Sequence, residues 1–353
     1  MSKKRLLFIP VSSPKGIGEY MRSLLLAQNL KSELDEQVDI HFILNKNTAY
    51  AKNCPFETTL LNHSGTKELH KVCDVIKKLK PDVVVFDCAG RAAQMKTAKK
   101  VGAKVVFISQ HAKKRAKGLK LNRINLIDAH WVVQPDYCIE PLSWLEKVKL
   151  DLFPLTLPRN VGPFMASYSD EQKQFMLSEY KLTPKEYFVV NAGSGGHYNN
   201  GENCADIYFN AAREIAKRTG LKGVVVFGMN YNKPLPQTDE LICVSSLQNT
   251  VFLALLSDAK VALLSAGDTL LQAIAIQTPT VACAISKDQS HRIERCISTD
   301  VVLRANLDIN DITNKVEHII EARFYNALTQ KYLHLAAQQS FDIITKNVKT
   351  MLL

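Results

Sequence analysis

The chain has 353 residues, of which 46% are hydrophobic and 22% charged, an ordinary globular composition and a length that suits two α/β domains of similar size. No apolar run reaches the ~18 residues of a membrane-spanning helix, and Pro10 interrupts the N-terminal apolar stretch, which favours a first buried strand over a signal peptide. The formal net charge of +11 lies in the N-terminal half, because residues 1–160 hold 27 Lys and Arg against 15 Asp and Glu, a net of +12.

In the first half of the chain, short β-branched runs alternate with amphipathic helical stretches. The run Val83-Val84-Val85-Phe86 has no polar–apolar alternation, which is typical of a strand covered on both faces in a parallel sheet. The pattern predicts strands at 6–11, 38–44, 82–87, 104–109 and 129–134. It predicts helices at 18–34, 67–80 and 91–101. These elements together indicate a doubly wound domain.

A segment at 152–164 contains three prolines and no helical period, and is predicted to be a linker. The series after it predicts strands at 187–191, 223–227, 241–244, 261–265 and 280–285. Helices are predicted at 203–219, 251–257, 269–276, 289–297 and from about 313 to the end. We therefore expect an α/β protein of two doubly wound, Rossmann-like domains facing a cleft, residues 1–160 and 161–325, with a C-terminal helix at 326–353 that could pack back on the first domain.

The eight cysteines form no C-x-x-C pair, and several lie inside apolar runs. Reduced core cysteines are distributed in this way, so we expect neither a zinc site nor disulfides, and a cytoplasmic protein.

A glycine-rich loop directly follows the first strand of the second half. It runs from Asn191 to His197 and is followed by the helix predicted from 203. Backbone amides and a helix N-terminus can bind a phosphate group. We therefore expect this loop to contact the phosphates of a ligand, unless it is a plain glycine-rich turn. The contacting residues would be Gly193, Ser194, Gly195 and Gly196.

A second loop of this kind follows the strand that ends at Ser265. Gly267 and Asp268 would make the turn and Thr269 would open a helix, whose free amides suit a diphosphate. Gln272, one turn into that helix, could reach a ribose hydroxyl. Asp288 and Gln289, after the next strand, could meet the sugar.

These motifs carry a family resemblance. S-A-G-D-T-L-L-Q-A at 265–273, T-P-T-V at 278–281 and D-Q at 288–289 resemble the donor-binding region of two GT-B groups, the peptidoglycan lipid-linked N-acetylglucosaminyltransferases and the UDP-sugar hydrolases of pseudaminic acid synthesis. The resemblance implies that Ser246 and Leu247 grip the nucleobase. Residues 16–24 resemble the opening G-x-G-H-x-x-R-x-L of the hydrolases, and Val161-Gly162-Pro163 resembles the start of their interdomain connection. Gly16, Gly18 and Arg22 would then lie on the acceptor side.

Two positions depart from the family pattern. Glu19 replaces a histidine, and Gln272 stands where those families often carry a ribose-binding glutamate. Glu19 could serve as a general base, or it could only satisfy amides at a helix start. His111, at the end of a predicted strand, is the alternative base, although a lone histidine there is more often structural.

A basic run follows His111 and consists of Lys113, Lys114, Arg115, Lys117, Lys120 and Arg123. In a helix these residues would cover much of the circumference, so some must face solvent. They could bind the anionic inner face of a membrane, or form an ordinary solvated helix. No aromatic residues are interleaved with the charges, which argues against nucleic acid.

The sequence thus predicts an inverting, metal-independent glycosyltransferase of cell-envelope or surface polysaccharide synthesis. Its donor would be a nucleotide sugar, UDP-linked, acting as co-substrate, with no other cofactor. No D-x-D motif is present, and helix dipoles with backbone donors can stabilise a leaving diphosphate. The alternatives are a UDP-sugar hydrolase of pseudaminic acid synthesis and a non-catalytic protein of the same fold that binds a nucleotide or an anionic lipid.

Overall fold

A computed structural model describes residues 3–11, 13, 17–333, 335 and 340–353, with the backbone alone at 288 and 340. The chain forms two compact units. The first unit comprises residues 1–164 and 339–353, and the second unit comprises residues 165–338. The boundary therefore follows Phe164, four residues beyond the predicted one. The last helix belongs to the first unit.

The described residues of the first unit form a parallel sheet of seven strands. The strands are β1 (Lys4–Pro10), β2 (Val38–Asn45), β3 (Glu57–Leu61), β4 (Val83–Asp87), β5 (Lys104–Ser109), β6 (Ala129–Val132) and β7 (Pro158–Asn160). Their order in the sheet is β3-β2-β1-β4-β5-β6-β7. All five residues of β4 are buried, because helices cover both faces of the sheet. This is the doubly wound arrangement that the unbroken apolar runs predicted.

Six helices of the first unit pack around this sheet in the described ranges. They are α1 (Gly18–Leu34), α2 (Leu69–Leu79), α3 (Ala92–Lys100), α4 (Ala112–Gly118), α5 (Trp144–Leu152) and, after the second unit, α13 (Ser340–Leu352). α13 lies against α1, where the Thr345 hydroxyl donates to the Asn29 side-chain oxygen at 3.0 Å.

The second unit repeats the same plan. Its described strands are β8 (Tyr187–Asn191), β11 (Lys222–Val226), β12 (Leu241–Val244), β13 (Val261–Ser265), β14 (Thr280–Cys283) and β15 (Val302–Arg304). They form a parallel sheet in the order β12-β11-β8-β13-β14-β15. A separate two-stranded hairpin, β9 (Tyr198–Asn199) with β10 (Glu202–Asn203), precedes the first long helix. Both large sheets thus have the 3-2-1-4-5-6 strand order of a Rossmann-like domain.

The helices of the second unit again lie on the faces of its sheet. They are α6 (Asp170–Glu179), α7 (Cys204–Thr219), α8 (Asn249–Asp258), α9 (Asp268–Ala275), α10 (Lys287–Ile297), α11 (Ile309–Ile320) and α12 (Ala322–Tyr332). The buried hydroxyl of Tyr332 lies 2.8 Å from two main-chain oxygens, those of Thr278 and Val301, and so ties α12 to the second unit. Residues 326–353, predicted as one C-terminal helix, therefore contribute to two helices in different units.

The elements that were not predicted from the sequence include β3, β7, β9, β10, β15, α5 and α6. The interpretation of 152–164 as a linker missed β7, which pairs with β6 from His130↔Pro158 to Val132↔Asn160. Proline donates no hydrogen bond, but it is tolerated as the first residue of a strand at the sheet edge. The eight cysteines, all within the described ranges, are free thiols.

A buried ion pair joins α1 to the end of β4. The Arg22 side chain, 3% exposed, donates from Nε to Asp87 Oδ2 at 2.9 Å and from Nη2 to Asp87 Oδ1 at 2.6 Å. The Ser23 hydroxyl adds a third hydrogen bond to Asp87 at 3.2 Å. Burial raises the pKa of Asp87 to about 6, and the Arg22 charge opposes this rise. The pair fixes the first turns of α1 over the carboxyl end of the sheet.

We predict that Asp87→Asn lowers the free energy of unfolding by ~3–5 kcal/mol, because the Arg22 guanidinium stays buried without its counter-charge. Urea denaturation followed by circular dichroism measures this loss. Asp74→Asn is the matched control, since it breaks the exposed Asp74–Lys77 pair, and it should cost at most ~0.5 kcal/mol. Equal losses in the two variants would contradict the assignment.

Candidate functional site

The carboxyl ends of β8 and β13 define the candidate site of the second unit. These two strands are neighbours, with Val190 paired to Leu263 and Asn191 to Leu264. Along the chain, β8 leads to β11 on one side of the sheet, and β13 leads to β14 on the other. The two connections therefore diverge and leave a crevice at the strand ends, where ligands bind in open α/β sheets. Both predicted donor loops begin at this crevice.

Side chains of the second unit hold the glycine-rich loop after β8. The Asn191 side chain accepts from the Gly193 amide at 3.0 Å and donates to the Val226 carbonyl at 2.8 Å. The side-chain nitrogen of Asn203 donates to the Gly195 carbonyl at 2.9 Å. Its side-chain oxygen caps α7 by accepting from the Ala205 backbone amide. Because Asn191 already occupies the Gly193 amide, this group is not among those available to a phosphate, which corrects the sequence-based expectation for Gly193.

The glycines of this loop are required mainly by protein neighbours. Gly195 has a φ of +81°, and a Cβ there would overlap the Phe227 carbonyl oxygen. Gly228, at φ +95°, in turn lies against the main chain of Ser194. The Asn230 amide completes this contact by donating to the Ser194 carbonyl at 2.8 Å. Sequence reasoning assigned the glycines to close approach of a ligand, whereas at 195 the closest approach is that of the 227–231 backbone.

The Ser194 hydroxyl is the exception within this well-bonded loop. Its Oγ is buried and has no hydrogen-bond partner in the described part of the chain. A buried hydroxyl without a partner carries a desolvation cost of about 1–3 kcal/mol. An incoming ligand with an acceptor oxygen would remove that cost. Gly196, the last of the predicted contacts in this loop, is exposed.

The second predicted loop lies beside the first. A Cβ on Gly193 would lie 3.1 Å from Ser265 Oγ, and one on Gly267 would lie 3.7 Å from the same oxygen. Gly267 is the N-cap of α9 and has no side chain with which to cap it. The first amides of α9, from Asp268 and Thr269 onward, begin at the crevice. The structure thus brings together Gly193, Ser265, Gly267 and the start of α9.

Arg292 is a site residue that the sequence analysis did not identify. It lies on α10, donates from Nη1 to the Ala266 carbonyl at 2.9 Å, and pairs through Nη2 with Asp268 at 3.1 Å. It therefore brings a positive charge to the loop that precedes α9. In the sequence it is one arginine in an amphipathic helix, and only the packing of α10 against this loop reveals it.

The structure also describes the other residues that were predicted to bind the donor. Gln289 is buried, accepts from the Ile285 amide at 3.1 Å, and its Nε2 would lie 3.8 Å from a Cβ on Gly267. Gln272 is buried one turn into α9, and its Oε1 accepts from the Asn249 side chain at 3.3 Å. Leu247 packs against the core of the second unit and Ser246 is exposed. Asp288 lies in α10, and its side chain is outside the described residues.

The first unit has the corresponding crevice between β1 and β4, with Pro10 paired to Asp87. Helix α1 begins there at Gly18, and Glu19 in its first turn is half-buried and pairs with Lys114 at 3.8 Å. Gly16 lies outside the described residues. Arg22 does not face an acceptor, since it is buried against Asp87, which corrects the sequence-based assignment.

His111 and the basic run surround this crevice from the β5 side. His111 is half-buried, and its carbonyl accepts from the amides of the first turn of α4. Burial, together with the Lys114 charge, lowers the pKa of Lys117. Lys113, Lys117 and Lys120 are exposed.

Arg115 is the member of the basic run that the structure removes from the surface. It is buried and pairs with Glu146, from Nε to Oε1 at 3.1 Å and from Nη2 to Oε2 at 2.8 Å. The expectation that Arg115 contacts an anionic membrane is therefore corrected, because its guanidinium is used inside the protein. Arg123 is also buried, and burial and the Arg91 charge lower its pKa to about 10.

Neither a metal cluster nor a spanning helix is found in the described ranges. No group of three or more His, Cys, Asp or Glu residues there could hold a metal ion. No described helix is both long and apolar enough to cross a membrane.

Two Rossmann-like units of parallel strands, with the last helix of the chain belonging to the first unit, define the GT-B fold class. No protein-family model and no curated protein sequence matches the chain. Among solved structures, the glycotransferase of kitacinnamycin is similar with a TM-score of 0.68 and 13% identity, over all of both chains. Arabidopsis thaliana UGT89C1 complexed with UDP gives 0.66 and 12%, covering 99% of this chain and 100% of that one. MnaA of S. aureus with UDP gives 0.65 and 14%, covering 99% and 97%. At these identities the likeness establishes the fold.

We predict that Gly228→Ala destabilises the chain more than Gly201→Ala. Both glycines have positive φ, +95° and +85°, so each alanine incurs the ~1–2 kcal/mol cost of a left-handed backbone. Only at Gly228 does the new Cβ also overlap the Ser194 main chain, whereas Gly201 faces open space. Unfolding free energies from denaturant titration compare the two, and an equal loss would show that the two loops are not packed together.

Proposed function

We propose that this protein is a glycosyltransferase that binds a UDP-linked sugar on its second unit and transfers the sugar with inversion. The observation that carries the proposal is the adjacency of the Ser194 loop and the start of α9 at the crevice between β8 and β13. Neighbouring solved structures of the same fold include transferases and complexes with UDP, which supports the choice of donor class.

The diphosphate of the donor is proposed to lie against the start of α9. The amides there and the positive end of the helix dipole stabilise negative charge. Ser194 Oγ would donate to a phosphate oxygen, since it has no partner in the described protein. These fixed donors would stabilise the charge that develops on the leaving diphosphate, so the mechanism needs no metal. Gln272 and Gln289 would bind the ribose and the sugar, with Asn249 orienting Gln272.

The acceptor is proposed to bind the first unit, near the start of α1. Glu19 would take the proton from the acceptor hydroxyl as that oxygen attacks the anomeric carbon. Lys114, at 3.8 Å from Glu19, would position the carboxylate. His111, at the start of α4, is the second candidate base. We propose an acceptor of cell-envelope or surface polysaccharide synthesis, a proposal that comes from the resemblance in sequence motifs.

The first test is a panel of nucleoside diphosphates with the wild-type protein and Ser194→Ala. UDP should raise the thermal unfolding midpoint most, because a ligand that binds the folded state stabilises it. Loss of a hydrogen bond to a charged group is worth ~1.5–3 kcal/mol, so Ser194→Ala should raise the Kd for UDP roughly 10- to 100-fold without destabilising the free protein. Isothermal titration calorimetry measures the Kd.

Ser257→Ala is the control for this test. Ser257 lies in α8 and its hydroxyl donates to the Ala254 carbonyl at 2.8 Å, so the substitution should leave the Kd for UDP unchanged. Equal affinities of wild type and Ser194→Ala would remove Ser194 from the donor site. Failure of every nucleoside diphosphate to bind would refute the proposed function.

The second test is Glu19→Gln in a donor-turnover assay with a panel of sugar and lipid-linked acceptors. Loss of a general base typically lowers kcat by about 10²- to 10⁴-fold, and donor affinity should not change, because Glu19 lies in the other unit. Glu33→Gln, on the same helix but solvent-exposed, should retain full activity. An unchanged kcat in Glu19→Gln would exclude Glu19 as the base.

The same assay separates the alternatives. Donor consumption without any acceptor would favour a UDP-sugar hydrolase. Binding of UDP with no turnover across the panel would favour a non-catalytic nucleotide-binding protein.

A further inference from the structure

Helix α5 exposes apolar side chains and buries a charged one, which is the reverse of an ordinary surface helix. Its apolar residues Trp144, Leu145 and Leu152 are 73%, 60% and 69% exposed. Its glutamate, Glu146, is buried. A helix on the surface of a globular protein normally turns its apolar stripe to the core and its charges to water. The inverted arrangement in α5 therefore requires an explanation.

The exposed Trp144, Leu145 and Leu152 form one apolar stripe with the half-buried Val148. Trp144, Val148 and Leu152 are spaced four residues apart, and Leu145 lies next to Trp144 on the side toward Leu152, so all four fall within about 100° of the helix circumference. Phe153 and Leu157, which follow the helix in sequence, are also exposed. The result is a large apolar surface on the first unit rather than a single exposed leucine, and such surfaces usually mark an interaction site.

Glu146 fixes this orientation. Both of its carboxylate oxygens accept from Arg115, at 3.1 and 2.8 Å. One of them also accepts from the Ser143 amide at 2.9 Å, and the Ser143 hydroxyl caps α5 at the Glu146 amide. Rotating α5 to bury its apolar stripe would expose or unpair these buried charges, which is strongly unfavourable. The outward stripe is thus built into the fold.

Lysines predominate on α4 and α5, and Asp151 is the exposed acidic residue of α5. Lys147 and Lys149 lie on α5, and Lys113, Lys117 and Lys120 lie on or next to α4, the helix that Arg115 joins to α5. None of these five lysines forms an ion pair within the described ranges. A second copy of the chain would bring an equally basic first unit against this one, since residues 1–160 carry a net charge of +12. Like charges oppose that association.

We propose that α5 and the segment to Leu157 form a docking surface for an anionic lipid bilayer. Trp144 and the leucines would lie at the boundary between head groups and acyl chains, where tryptophan is favoured. The lysines would contact the anionic head groups, each strengthening binding. This surface is centred on α5 and shares Lys113, Lys117 and Lys120 with the basic run of the sequence, whereas Arg115 fixes α5 instead of contacting lipid. The proposal does not depend on the donor site.

The two tryptophans of the chain provide a direct test. Trp131 is buried at 1% exposure, so a change of environment on lipid binding should be reported by Trp144. Vesicles of phosphatidylcholine with ~30% phosphatidylglycerol should shift the fluorescence to shorter wavelength, and brominated lipids should quench it. Phosphatidylcholine alone, or high salt with the anionic vesicles, should reduce the shift, since head-group attraction is screened. Trp144→Phe should remove the shift and retain vesicle co-sedimentation.

Variants separate the apolar and electrostatic contributions. Leu145→Ser/Leu152→Ser should reduce co-sedimentation with anionic vesicles roughly tenfold, because binding scales with buried apolar area. Lys147→Gln/Lys149→Gln should reduce it by a similar order, at ~1 kcal/mol per lysine. Phe175→Ser is the matched control, because Phe175 is 66% exposed in the second unit, and it should bind normally.

Two results would overturn the proposal. One is wild-type protein that shows neither a fluorescence shift nor co-sedimentation with anionic vesicles. The other is a concentration-dependent dimer, seen by analytical ultracentrifugation, that Leu145→Ser/Leu152→Ser abolishes while vesicle binding is unaffected. Unfolding midpoints of all variants should match the wild type, because none of the substituted residues is buried. This measurement distinguishes lost binding from lost folding.

Discussion

The connection of parallel strands is the constraint on which the rest of this structure depends. Each crossover returns the chain to the same edge, so every loop that follows a strand emerges at the carboxyl edge of its sheet. In both units the strand order reverses between two central neighbours, β1 and β4 in one and β8 and β13 in the other. The loops from these neighbours diverge and cannot fill the space between them. The candidate residues of both units lie at that edge for this reason.

Two buried arginine–carboxylate pairs in the first unit position its helices. Arg22 with Asp87 fixes the start of α1, and Arg115 with Glu146 fixes α5 against α4. Both arginines belong to motifs that suggested contact with an acceptor or a membrane. A guanidinium has five donors in a planar fork, which suits a carboxylate inside the protein as well as an anion outside it. The same chemistry therefore has a structural use here, while Glu19 lies half-buried beside Lys114 and Trp144 is exposed.

The second unit shows how a glycine-rich loop can serve two needs. Gly195 and Gly228 allow two backbone segments to pack without side chains between them. This packing fixes the loop and leaves the Ser194 hydroxyl buried without a partner in the described chain. A loop that is rigid before a ligand arrives loses little conformational freedom on binding. Dense packing on one side of the loop is thus compatible with a binding role on the other.

The sequence by itself determined the fold class and most elements, because a strand buried in a parallel sheet, such as 83–87, has an unbroken apolar run that composition reveals. The limits of α1, β8, β12 and β13 were predicted from such patterns, together with the two donor loops. Only the tertiary structure decided the roles of Arg22, Arg115 and Arg292, since the partner of each lies 24 to 65 residues away in sequence. It also decided the outward face of α5 and the edge strand β7. Side-chain direction and edge pairing depend on neighbours distant along the chain, and local periodicity carries no information about them.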